Sequence, residues 1–224
     1  MPKKPSATRE RIIQAAIQLF YEHGYAATGM AEILGRAKAN SGSFYFFFKS
    51  KEDLLLAVLD WYKQNLDPVL LAQVRAQSDD PIEQIFALLA LYRANVLRTE
   101  FAFGCPIGRL SLEIEPSQRK VHQEIAANFD GWKAAVEERV RLALPRLKLA
   151  LGKSPDPKKL ASLVLSVMEG AVMQSRSFKS IEPFDESISV LRDYFSTMTL
   201  TKSLKGLKSR RVSVKKTRSK KKEK

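Results

Sequence analysis

Cysteine is almost absent from this chain: 224 residues contain a single thiol, Cys105. One Cys excludes an internal disulfide and any zinc site built from several thiolates. Histidine is nearly as scarce, with only His23 and His122, which excludes a His-rich metal centre. No run approaches the ~18 consecutive apolar residues that a spanning helix needs. The opening Met-Pro-Lys-Lys-Pro-Ser leads into an amphipathic segment rather than an apolar one, so no secretory leader is expected. No Gly-rich phosphate loop, Ser/His/Asp set or paired-carboxylate motif appears. These absences predict a reduced, cytoplasmic, non-enzymatic protein with no cofactor and no metal.

What the chain has in excess is positive charge. Lys and Arg number 38 against 24 Asp and Glu, a net charge of +14. The excess lies at the two ends. Residues 202–224 carry twelve basic side chains and one acidic, residues 1–53 carry eight and five, and the middle carries eighteen of each. After Leu207 the only large aliphatic residues are Val212 and Val214, so the tail is expected to be disordered. Two readings of it stand: a solvated tail that aids solubility, or nonspecific contact with phosphates.

Ahead of the tail the apolar residues recur at helical spacing. Ala7 to His23 places Ile12, Ile13, Ala16, Leu19 and Phe20 on one stripe, with Gly24 to end it. A short second helix is predicted over 29–36, with Thr28 as its cap, and a third starts near Asn40. Ser50 and Asp53 signal a fourth helix carrying Leu54, Leu55, Val58 and Leu59. Further helices are predicted over 81–100, 105–115, 117–149, 157–179 and 185–200, with Asp80, Ser117 and Asp156 as caps. Pro145 should kink or end the longest of these. Nothing alternates at period two, so the expected fold is all-α.

Three short helices with a tight turn before the third suit a helix-turn-helix that reads a major groove. The third helix opens Asn40-Ser41-Gly42-Ser43, small and polar enough for close approach to DNA. Phe44 and Phe48, four apart, would anchor it, leaving Ser41, Gly42, Ser43 and Tyr45 outward. Lys51 starts the next helix, where a cation opposes the helix dipole and a phosphate partner would explain it.

Thr28-Gly29-Met30-Ala31-Glu32-Ile33-Leu34, Ala37-Lys38-Ala39-Asn40-Ser41-Gly42-Ser43-Phe44-Tyr45 and Phe48-Lys49-Ser50-Lys51-Glu52-Asp53-Leu54 together resemble the TetR family of bacterial transcriptional regulators. The resemblance implies a DNA-binding domain over 6–66, a helical effector-binding and dimerisation domain over 67–201, and the basic tail over 202–224. The DNA-binding set it implies is Thr28, Lys38, Ser41, Gly42, Ser43, Tyr45 and Lys51. One departure is Phe47, where the family usually has His or Tyr; packing inward is the simpler reading of that ring.

Two later helices carry the expected dimer interface, since family members dimerise through their last two helices. Its residues are Leu160, Val164, Val167 and Ala171 on one and Leu191 and Phe195 on the other. The alternative is that these residues complete the core of a single chain. For an apolar or amphipathic effector the candidate pocket residues are Phe86, Tyr92, Phe103, Cys105, Phe129, Trp132 and Met168. Arg93, Arg98, Arg109 and Glu169 read as surface or interface ion pairs. Cys105 begins a helix, which suits a low-pKa sensor thiol, or it is an inert buried Cys. The function this implies is a homodimeric repressor released from a palindromic operator by a small molecule. The alternative is an architectural protein that binds DNA without sequence preference.

Overall fold

The structure, a computed structural model, describes residues 7–147 and 154–198. Among the described residues every regular element is helical. Helix α1 (Ala7–His23) buries its predicted stripe, and Gly24 ends it at a φ of +93°. Helices α2 (Met30–Ala37) and α3 (Ser41–Phe47) follow. Asn40 caps α3, its side-chain oxygen accepting from the Ser43 N–H at 2.8 Å. A seven-residue helix does not stand by itself in water. Burial of Phe44, which contributes about 1.5–3 kcal/mol, pins it to the helices beneath.

Helix α4 (Lys51–Asn65) starts where the sequence places it. The Ser50 hydroxyl accepts from the Asp53 N–H, and the Asp53 carboxylate accepts from the Lys49 N–H. Thr28, by contrast, does not cap α2. Gly29 holds that position with no side-chain bond, and the buried Thr28 hydroxyl engages the carbonyls of Gly24 and Leu19. It ties the end of α1 instead.

The chain does not leave the helical path after Asn65. A π-helical turn, Leu66–Leu71, carries it into α5 (Ala72–Gln77), a segment that apolar periodicity did not reveal. Pro68 lies in that turn and has no N–H to give to a regular ladder. Helix α6 (Pro81–Arg98) is capped by Asp80, and α7 (Pro106–Glu113) follows. Helix α8 (Arg119–Ala143) has Gln118 rather than the expected Ser117 at its N-cap position, with no side-chain cap bond, and ends before Pro145. Helix α9 (Pro157–Phe178) is capped by Asp156. The last described helix, α10, spans 182–198, three residues earlier than its predicted start.

Two apolar clusters hold these helices. One joins α5, α6, α9 and α10 to the later part of α8. The other joins α1–α4 to Ile107 and Leu110 of α7, Ile114 after it, and Val121 and Ile125 early in α8. The 25-residue α8 serves both, so the first four helices share their core with α7 and α8. The basic tail, 202–224, lies outside the described residues.

Candidate nucleic-acid interface and effector cavity

The outer face of α3 carries Ser41, Gly42, Tyr45 and Phe46, all exposed, while Ser43 is half-buried. Tyr45 is 66% exposed and Phe46 81%. Phe46 is not in the set that the sequence implies, where inward packing is expected of Phe47. Exposure separates the three consecutive Phe residues. Phe48 is buried, Phe47 is half-buried against the same cluster, and Phe46 points its ring edge-on to Phe47 at 4.9 Å while leaving its bulk in solvent. Helical geometry accounts for this: 44 and 48 share a face, and 46 lies on the opposite one.

The two expected lysines stand differently. Lys38 is exposed and ends α2 in the left-handed region, φ 49° and ψ 51°. Lys51 is half-buried. Its ammonium donates to the Tyr25 carbonyl and lies 4.4 Å from the centre of that ring. Partial burial lowers its pKa from the usual lysine value. The carbonyl and ring account for a cation at this helix start without invoking phosphate. Thr28 is buried with its hydroxyl committed inward, so it is withdrawn from the DNA-facing set.

Beneath these helices lies a cavity of about 760 Å³. Tyr92, Cys105, Phe129, Trp132 and Met168 line it. Phe86 and Phe103 do not. Phe86 packs in the core against Phe195, with the Arg192 guanidinium 3.9 Å from its ring centre. Phe103 stacks on Tyr21 at 4.8 Å. Sequence reasoning had no signal for the wall that α1 supplies, namely Ile17, Gln18 and Tyr21, nor for Trp61 and Tyr62 of α4.

Cys105 caps α7, its sulfur accepting from the Gly108 N–H at 3.4 Å. Burial dominates, however, and pushes the thiol far above its ordinary pKa. Of the two readings of Cys105, its burial favours the inert thiol over the exposed, acidic sensor. Glu169 also differs from expectation. It lines the cavity rather than pairing at the surface, and its Oε1 is buried with no hydrogen-bond partner. Arg93 and Arg109 do form ion pairs, with Asp185 and Glu113.

A polar clamp joins α7 to the end of α1. Arg109 pairs with Glu113 at 3.0 Å and donates to the carbonyl of Tyr21 at 2.9 Å. A guanidinium there meets both unpaired carbonyls and the negative end of the α1 dipole. Glu113 accepts from the Ala26 N–H at 3.2 Å. The carboxylate comes so close to Gly24 that a Cβ there would collide with it. The Tyr21 hydroxyl donates to the Gly104 carbonyl and accepts from Asn95, which brings the cavity wall and the clamp together in one residue.

Residues 12–58 match the family described as bacterial regulatory proteins, tetR family, and residues 81–189 match the C-terminal domain of LmrA/YxaF-like transcriptional regulators. An HTH-type transcriptional regulator of Mycobacterium tuberculosis is 30% identical over 184 residues, covering 79% of this chain and 88% of its own. The chain belongs to the TetR family. The HTH-type transcriptional repressor DhaR of a Mycobacterium species is 25% identical, over 82% of this chain and 89% of its own. A TetR transcriptional regulator of Chloroflexus aurantiacus superposes with a TM-score of 0.70 at 27% identity, over 84% of this chain and 94% of that one. This TetR-family chain is thus a DNA-binding transcriptional regulator.

Five of the six expected interface residues face the core of this TetR-family chain. Leu160, Val164, Ala171, Leu191 and Phe195 are buried within the single chain, in one apolar cluster. They complete the core and are not available to a partner; only Val167 of the set is half-buried. The outer face of α9 is offset from them and carries Leu163, Ser166, Val167, Gly170 and Gln174, uncharged over this stretch, with Lys159 one turn before it. At Gly170 a Cβ would meet nothing within 4 Å. Val190 and Tyr194 are exposed on α10.

Proposed function

We propose that this protein is a homodimeric repressor that leaves a palindromic operator when an apolar or amphipathic small molecule fills the cavity. The observation that carries the reading is the shared wall: Ile17, Gln18 and Tyr21 of α1 line the cavity, and α1 packs on the core that holds α3. A ligand that favours a different placement of α1 or α7 therefore changes where α3 sits, and DNA affinity falls by the ligand's differential affinity for the two placements. Ser41, Gly42, Ser43, Tyr45 and Phe46 supply the groove-facing surface and Lys38 a phosphate contact. Lys51 retains free N–H donors for a phosphate beside its bond to Tyr25.

Dimerisation serves the same purpose, because two α3 helices then read half-sites about one helical turn, roughly 34–36 Å, apart. The uncharged stretch of the outer face of α9 from Leu163 to Gln174, with Val167 and Gly170, supports an interface there together with Val190 and Tyr194 of α10. Helices pack closely where small residues let backbones approach. The repressive sign is taken from DhaR, whose name describes a repressor.

In vitro transcription from the promoter next to the chain's own coding sequence tests this. Added protein should lower transcript yield, and a cavity ligand should restore it. Increased or unchanged yield at protein concentrations that occupy the promoter would overturn the repressor reading.

A further inference from the structure

Three charged residues are among those that line the cavity: Lys63, Arg98 and Glu169. The two cations are exposed and already engaged. Lys63 pairs with Glu124 at 2.9 Å, and Arg98 donates to the Asn95 side chain at 2.6 Å. Glu169 is inside. It projects from the middle of α9 and reaches under α7, close enough that a Cβ at Gly108 would collide with its carboxylate. The glycine makes that approach possible. Among the described residues no Lys or Arg pairs with it, and its Oε1 is buried without a partner. Desolvation raises the pKa of this carboxyl, and hydrogen bonding from the Cys105 thiol offsets only part of that rise.

A buried carboxylate with an unused oxygen is costly unless something completes it. The rings of Trp61, Tyr62, Tyr92, Phe129 and Trp132 line the same cavity, and aromatic faces attract cations as well as apolar frames. The volume of about 760 Å³ admits a drug-sized molecule. We infer that the effector is an amphipathic organic cation, whose aromatic or aliphatic frame lies among these rings and whose ammonium or amidinium N–H donates to Glu169 Oε1. A neutral frame leaves the carboxylate uncompensated, and an anion is repelled by it. This inference rests on the effector reading above and names the chemistry of that ligand.

Three probes of one shape separate the charge from the frame: 4-phenylbenzylammonium, 4-phenylbenzyl alcohol and 4-phenylbenzoate. Their affinities for the full-length protein are measured by calorimetry without DNA, so the outcome does not depend on operator release. The cation should bind about tenfold or more tighter than the alcohol, and the benzoate weakest. Glu169→Gln should abolish the preference for the cation while leaving the alcohol within about threefold. Glu169→Asp should keep part of that preference, which guards against a Gln variant that merely loosens the fold. Equal binding of all three probes, or a preference that survives in Glu169→Gln, would overturn the assignment of charge and leave the cavity reading intact. Failure of all three to bind would overturn both.

Discussion

Arg109 holds the carboxyl end of α1, its guanidinium donating to the Tyr21 carbonyl at 2.9 Å and to that of Glu22 at 3.3 Å. The same Tyr21 contributes its side chain to the cavity wall. One residue thus belongs both to the ligand site and to the helix that positions α3. Arg109→Ala should destabilise the protein by about 1–3 kcal/mol, the usual cost of losing charged hydrogen bonds in a partly buried site. If the clamp couples the sites, the variant should still bind a cavity ligand while its operator affinity responds less to that ligand. Thermal melts and operator titrations with and without ligand check both.

Lys38 sits in a backbone region that disfavours side chains with a Cβ. Lys38→Gly should therefore raise stability by about 1 kcal/mol while weakening DNA binding. The salt slope of log K should fall by about one contact. Stability and affinity moving in opposite directions is the signature; a slope equal to that of the parent protein would remove Lys38 from the interface.

The outer and inner faces of α9 should behave differently when charged. Val164→Glu buries a carboxylate in the chain's own core and should unfold the protein, a cost of several kcal/mol. Leu163→Glu falls on the exposed face and should leave the melt nearly unchanged while shifting sedimentation from dimer to monomer. A folded Leu163→Glu variant that stays dimeric would place the interface elsewhere.

Asp80 caps α6 and accepts from Arg146, and that bond is the main reason its carboxyl is held down at about 2. A carboxyl with a lower pKa in the folded chain stabilises it above the unfolded value, near 4. That contribution is lost as pH falls from about 4 towards 2. Both side chains are more than a third exposed, so screening by water keeps the ion pair below about 1 kcal/mol. Asp80→Asn should flatten this part of the melting-temperature profile. A profile identical to the parent's would mean that Arg146 contributes nothing.

Local signals in the sequence carried the first four helices well. Asn40, Ser50, Asp80 and Asp156 cap as their residue types suggest, because a cap is decided by neighbours within three residues. Long-range placement was less legible. The stripe of Leu160, Val164 and Ala171 shows that α9 has an apolar face, but periodicity does not say whether that face meets its own chain or a second copy. Glu169 looks like any surface acid until α7 folds over it, with Gly108 giving it room. Of the three consecutive Phe residues, Phe46 and Phe47 differ in burial through their angular positions on α3, Phe48 follows the helix as its cap, and the open outer face marks Phe46 as a candidate DNA contact.

The most direct test is to select duplexes from a random pool with the parent protein and with a Tyr45→Ala, Phe46→Ala variant. The parent should enrich one two-fold symmetric sequence with half-sites about one helical turn apart. The variant should lose that enrichment while keeping most of its salt-dependent affinity for arbitrary duplex. Binding by the parent with no enriched sequence, or enrichment of the same sequence by the variant, would contradict recognition through α3.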